Sequence, residues 1–293
     1  MSTAGYGYDA NGRLSSMTMD TGNGFGPQPF ANATYGPAGE MLGLSYGAGT
    51  ETRTYNPMLQ LVWQSVPGYL NMTYNYSATA NNGRITSSVD GITGENTAYS
   101  YDALNRLTGA SNGLWSEQYT YDGFGNLTQK TGSNGAPSMT ATYDAGNHQT
   151  GSGIGSDANG NQWSNTAFNT FTVENRIVRQ YSEVWPGAEV AYSYDPWGKR
   201  VMTFGDPDPN NDEGESNPIW QYHFYGITGQ RLATVECVPS GDPTYGAFPY
   251  CTISGQNVYF GKKLLVSNGV TVVTDRLGSV RANTQGEQMA YYP

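Results

Sequence analysis

Tyr99-Ser100-Tyr101-Asp102-Ala103-Leu104-Asn105-Arg106-Leu107 is followed by Tyr119-Thr120-Tyr121-Asp122-Gly123-Phe124-Gly125-Asn126-Leu127, and this pair sets the pattern of the chain. Alternate side chains of a strand share a face, so the two rings of Tyr-x-Tyr point the same way. Asp accepts hydrogen bonds from the amides just ahead and opens a turn. Gly125 supplies the positive φ that ends it, and at Asn105 an asparagine tolerates the same region. Arg or Asn, then Leu, begins the return strand. The unit is therefore strand, short turn, strand, loop.

Working outward, Tyr8-Asp9-Ala10-Asn11-Gly12-Arg13-Leu14 and Tyr192-Ser193-Tyr194-Asp195-Pro196-Trp197-Gly198-Lys199-Arg200-Val201 are clear copies. Weaker ones run 35–42, 55–61, 74–85, 143–148, 157–162 and 168–177, with looser ones at 225–232 and 260–264. A period near 20 residues is too short for paired-helix repeats and fits a two-strand unit. No sustained 3.6-residue apolar pattern competes with it. About twelve such units give roughly twenty-four strands, a ribbon on the order of 115 Å long at the usual strand spacing. Strands twist, so such a ribbon must curl, coil or stack.

The composition agrees. The chain has 293 residues, 39 Gly and 23 Tyr, with 13% charged and 13% aromatic residues. The mean hydropathy of −0.54 alone would suggest disorder. However, low charge and many aromatics oppose that reading and point to a turn-rich all-β protein. A net charge of −10, with 14 scattered Lys and Arg, argues against nucleic acid. No apolar run approaches the roughly 20 residues of a membrane-spanning helix. Met1-Ser2-Thr3-Ala4-Gly5-Tyr6 lacks the parts of a signal peptide.

The motif Tyr-x-Tyr-Asp-x-x-Gly-Arg-Leu resembles the YD repeats of bacterial RHS proteins, toxin-complex C components and teneurins. The likeness runs from about Tyr6 to Gln288. Thr274-Asp275-Arg276-Leu277-Gly278-Ser279-Val280-Arg281 also resembles the segment that opens the RHS core-associated region, with Arg276 where His is usual. The resemblance implies an all-β fold: a long antiparallel sheet of hairpins curled into a spiral, barrel-like shell or part of one. Residues 1–273 would form the repeat sheet. Residues 274–293 would start the core-associated segment, continuous with the same sheet and cut short, so that the chain is a fragment. The structural residues would be Tyr8, Asp9, Gly12, Tyr99, Tyr101, Asp102, Tyr119, Tyr121, Asp122, Gly125, Tyr192, Tyr194, Asp195 and Gly198.

Function follows as an expectation. The resemblance implies a non-catalytic structural module, part of a shell that encloses or presents another polypeptide of the same parent protein, of toxin or effector type. Its location would be extracellular or at a bacterial cell surface after export. The alternative is an extracellular adhesion, carbohydrate-binding or filament-forming module, with self-association or a glycan as partner. Trp63, Trp115, Trp163, Trp185, Trp197 and Trp220 are the sugar-stacking candidates, although packing of the sheet faces is their default role. An enzyme built on the scaffold is the third reading.

The chemical candidates are few. His148 and His223 have no neighbours at metal-ligand spacing and read as ordinary strand residues. Asp206, Asp208, Asn210 and Asp212 alternate as in a calcium loop, which makes calcium the one cofactor to consider. The glycine and the closing glutamate of such a loop are missing, so a solvated loop is preferred. Asp195-Pro196-Trp197-Gly198 spells a self-cleavage motif but sits where a repeat turn belongs. Cys237 and Cys251 bracket one turn-rich insertion and form a disulfide candidate that closes a local loop.

Overall fold

The computed structural model describes residues 3–164, 167–182, 189–205, 219–238 and 249–291. These form antiparallel strands that, within each of three sheets, pair with the next in sequence. A 13-stranded sheet runs from Thr3–Tyr8 to Met139–Thr140, and a 12-stranded sheet from Ile154–Ser156 to Val280–Asn283. Between them Thr142–Tyr143 and Gln149–Thr150 make a two-stranded sheet. The hydrogen bonding is interrupted where strands shrink to two residues, just past Pro137, which has no amide to give. Among the described residues no helix is long and apolar enough to cross a membrane.

The tyrosine before each turn fixes a recurring irregularity. Pairing shifts register between Gly7 and Tyr8, Thr34 and Tyr35, Thr54 and Tyr55, and Ser193 and Tyr194. Each shift is a bulge, which adds right-handed twist and bends the strand. The curl expected of a long sheet therefore has a local cause in those units, while the pairings of Thr142–Tyr143 with Gln149–Thr150 and of Ile154–Ser156 with Gln162–Ser164 show no shift.

By contacts the chain divides into two compact units. One comprises Met1–Thr120, Gln129–Met139 and Asn257–Pro293; the other comprises Tyr121–Thr128 and Thr140–Gln256. In the first, the strand Leu70–Tyr76 alternates: Leu70, Met72 and Tyr74 are buried while Asn75 faces out. Met17, Leu44, Val66 and Met72 pack with Phe260, Leu265, Val273 and Ala282 of the C-terminal hairpins in one hydrophobic core. Each fully buried aliphatic side chain contributes roughly 1.5–3 kcal/mol. In the second unit, Cys237 and Cys251 face each other across paired strands and are joined by a disulfide.

Candidate functional site

The residues singled out in the sequence converge on one repeated device, a five-residue turn. Its first residue donates its amide to the carbonyl four residues on, and the amide three residues on returns to the first carbonyl. The pair of bonds recurs at turns opening with Asp9, Gly36, Asn56, Asp102, Asp122, Asp144, Asp157, Thr172, Asp195, Gly226, Asp275 and Asn283. The fourth position has positive φ, 74° at Gly12, 95° at Gly125, 85° at Gly198 and 67° at Asn105.

The opening carboxylate caps the turn. Asp102 Oδ1 accepts from the amides of Leu104 and Arg106 at 2.9 Å, and Oδ2 accepts from Arg106 Nε at 2.6 Å. Asp9 does the same with Asn11 and Arg13, and Asp122 with Phe124 and Asn126. Asp195 accepts from the amides of Trp197 and Lys199. The amide of Arg13 holds Asp9 below the usual carboxylate range, the amide of Arg106 does so for Asp102, and the Asn126 side chain for Asp122.

A pairing rule emerges that the sequence reading missed. Asp openers have a donor at the fifth position, such as Arg13, Arg106, Asn126 or Lys199. The Asn openers Asn56 and Asn283 instead have acceptors there and donate Nδ2 to Gln60 Oε1 at 2.6 Å and to Glu287 Oε2 at 2.5 Å.

The tyrosines lace successive turns together. Tyr35 Oη donates to the carbonyl of Leu14 at 2.6 Å, Tyr55 to Met41 at 3.0 Å, Tyr101 to Ile85 at 2.9 Å and Tyr194 to Ile177 at 2.7 Å. Each acceptor opens the return strand of an earlier unit. The cation just before that acceptor lies over the same ring, Arg13 on Tyr35, Arg84 on Tyr101 and Arg176 on Tyr194, and Lys199 lies likewise over Tyr225, whose hydroxyl donates to the Arg200 carbonyl. The first tyrosine of each pair serves otherwise. Tyr99 Oη meets Ser88 Oγ, Tyr119 Oη donates to Glu117, and Tyr192 lies under Arg200.

Two buried charge clusters had no signal in the sequence. Glu51, 0% exposed, lies 2.6 Å from Arg53 and 2.9 Å from Lys263, and accepts from Gln64. Lys263 Nζ also donates to Thr274 Oγ1, and Gln64 Nε2 to the Thr274 carbonyl. Burial pushes the Lys263 pKa down, with Glu51 opposing the shift. Glu117 is similarly buried and paired with Lys130 at 2.6 Å. The Glu51 cluster joins strands distant in sequence, whereas the Glu117 pair ties consecutive strands, and breaking a buried pair costs far more than forming it returns.

The segment that resembles the core-associated motif lies against the sheet in the first unit and borders a cleft of about 380 Å³. Arg276 covers the ring of Tyr74, whose pKa burial pushes up to about 12. Arg281 lies 3.5 Å from Asp90, and Tyr99, Tyr101 and Trp115 complete an aromatic lining. Its carboxylates are engaged. Asp90 accepts from the amide of Ile92, Glu95 from Asn112 and Trp115, and Asp275 from the amides of Leu277 and Ser279. The arrangement suits rigid packing better than proton transfer.

The remaining candidates that the structure describes are dispersed. His148 donates its amide to Asp144 as part of a turn, and His223 lies between Thr203 and Thr234, its pKa lowered by burial. Trp63 donates to Asn71, Trp163 stacks on Phe168, Trp220 packs on Phe204, and Trp197 is exposed. Among the described residues no three His, Cys, Asp or Glu gather as metal ligands. Asp206, Asp208, Asn210, Asp212 and Trp185 lie outside the described residues.

Residues 81–114, which include the Asp102 turn, match the family model described as RHS Repeat. The chain carries an RHS repeat. No curated protein matches it. Among solved structures, a Photorhabdus luminescens Tc holotoxin pore is similar over 99% of this RHS-repeat chain, at 16% identity and a TM-score of 0.71. A crystal structure of TcdB2-TccC3 is similar over the same share, at 16% identity and a TM-score of 0.69. The chain spans only 16% of the first of these and 17% of the second. At that identity the likeness is one of fold. It shows that this all-β, antiparallel architecture is shared with part of each of those structures.

Proposed function

We propose that this RHS-repeat chain is a structural module, part of a β-shell that encloses or presents another polypeptide of toxin or effector type, and that it acts by confinement rather than catalysis. The observation that carries this reading is the turn lattice. The Asp, Arg and Tyr of the turns are spent on holding units to one another, and the carboxylates that border the Tyr74 cleft are likewise engaged in hydrogen bonds. Repeated bulges curl such a sheet, and a wall that closes on itself leaves few free edges. The test is solution scattering with an absolute mass. A hollow, discrete particle supports the shell, and an extended polymer that grows with concentration overturns it.

A second reading, an extracellular adhesion module, is favoured by the Cys237–Cys251 disulfide, since disulfides persist in oxidising compartments. The same bond supports residence outside the cytoplasm under either reading. Saturable binding on a glycan array would select adhesion over the shell.

A further inference from the structure

The cluster around Glu51 brings together an amine, Lys263, and a primary amide, Gln64, with one carboxylate standing between them. Glu51 Oε2 lies 2.9 Å from Lys263 Nζ, and Glu51 Oε1 accepts from Gln64 Nε2 at 3.0 Å. The two nitrogens share a second acceptor, the Thr274 carbonyl, 3.2 Å from Nζ and 2.9 Å from Nε2. Arg53, 2.6 Å from Oε1, fixes the carboxylate. Glu51, Gln64 and Lys263 sit on strands paired on both sides, so the three groups are held by rigid backbone.

The surroundings are dry. Glu51, Gln64 and Thr274 are buried, and Val66 and Leu265, next on the same face of their strands after Gln64 and Lys263, belong to the hydrophobic core. The burial that lowers the Lys263 pKa favours its neutral, nucleophilic form. Gln64 Oε1 is buried without a hydrogen-bond partner among the described residues. A purely structural role leaves that oxygen unexplained, because buried polar atoms are normally paired.

We propose that Lys263 and Gln64 become joined by an intramolecular amide bond that the folded chain forms by itself, with Glu51 as the proton carrier. Lys263 passes one proton from its ammonium to Glu51 Oε2, and the freed electron pair on Nζ attacks Gln64 Cδ. The carbonyl pair moves onto Gln64 Oε1 and returns as the Cδ–Nε2 bond breaks. Glu51 hands its proton to the leaving Nε2. A second proton from Nζ follows, so the group departs as ammonium. One ammonium and one amide are consumed, and one amide and one ammonium are formed. Positioned reactants and a carboxylate within reach of both nitrogens are what such a step requires. The bond ties Leu61–Val66 to Lys263–Ser267 and holds whether the module is a shell or an adhesin.

The experiment is the mass of the full folded chain, denatured and reduced before measurement, followed by peptide mapping. Expected are a mass below that of the sequence by one ammonia and a branched peptide joining the Gln64 and Lys263 segments. On refolding, the bond should form at a rate independent of protein concentration. Lys263→Arg, which keeps the charge, and Gln64→Met should both retain the full mass. Glu51→Gln should slow the step by roughly a hundredfold or more, the usual share of a positioned proton carrier. Three results would overturn the proposal: a folded wild-type chain that keeps its full mass, loss of one water in place of ammonia, which would make Glu51 the acyl partner, or a bond formed in folded Glu51→Gln as fast as in the wild type. The wild-type mass decides even where a variant fails to fold.

Discussion

The hydroxyl of Tyr35 donates to the carbonyl of Leu14, 21 residues earlier, and so ties one hairpin to the one before it. Tyr35→Phe removes the bond and strands a half-buried carbonyl. It should cost about 1 kcal/mol in denaturant unfolding. Tyr8→Phe, with no such partner, should be neutral. Equal effects at the two positions would refute the lacing.

The capping carboxylates make the fold acid-labile. Asp9, Asp102, Asp122, Asp144 and Asp157 all have pKa values below the ordinary 3.8. A depressed folded pKa stabilises above the unfolded value, and that contribution is lost as pH falls through the folded one. The melting temperature should therefore drop below about pH 4, the ordinary Asp range.

The donor and acceptor rule predicts a rescue. Asp102→Asn faces Arg106, so both would present donors, and the melting temperature should fall. Adding Arg106→Gln recreates the pair seen at Asn56 and Gln60 and should recover part of the loss. A double-mutant cycle with zero coupling would refute the rule.

Leu59 stands where the turn requires positive φ, at 59°, and it is exposed. A branched apolar residue is strained there, so Leu59→Gly should stabilise by up to about 1 kcal/mol. Gly125→Val, at φ 95°, should do the reverse by more than that. Melting curves of the two variants decide both signs.

Lys263→Met leaves Glu51 buried with Arg53 and Gln64 but without its cross-sheet partner, and should cost on the order of 3–5 kcal/mol. Equilibrium unfolding measures the loss, and an effect under 1 kcal/mol would show that water reaches the cluster.

Much of the architecture was legible because each unit repeats a local rule. Tyr8-Asp9-Ala10-Asn11-Gly12 spells a strand end, a cap and a positive φ within a few residues, and short-range chemistry suffices to read it. The units at Gly36 and Gly226 were harder, since they keep the backbone bonds without the capping side chain. The lacing was invisible for another reason: Tyr35 and Leu14 are linked by register, and nothing local says which carbonyl a hydroxyl will reach. The Glu51 cluster was more hidden still. Its partner Lys263 comes from the far end of the sequence, and a lone Glu in an alternating strand reads as solvent-facing. The roles of Asp102 and Asp9 are legible in the sequence, whereas the residue at the fifth position reads there only as the start of the return strand.

Because Tyr35 reaches back only to the neighbouring hairpin, the bonds of a unit are owed almost entirely to its immediate predecessor and successor. A block of about twenty residues, cut in phase between equivalent tyrosines, carries its own cap and delivers one hydroxyl and one carbonyl at its borders. Duplication or loss of such a block leaves the donor and acceptor count unchanged at the seam. Length in this architecture is thus a quantity that gene rearrangement can alter in whole steps, with the buried Glu51–Lys263 contact marking a place where counting out of step would be punished.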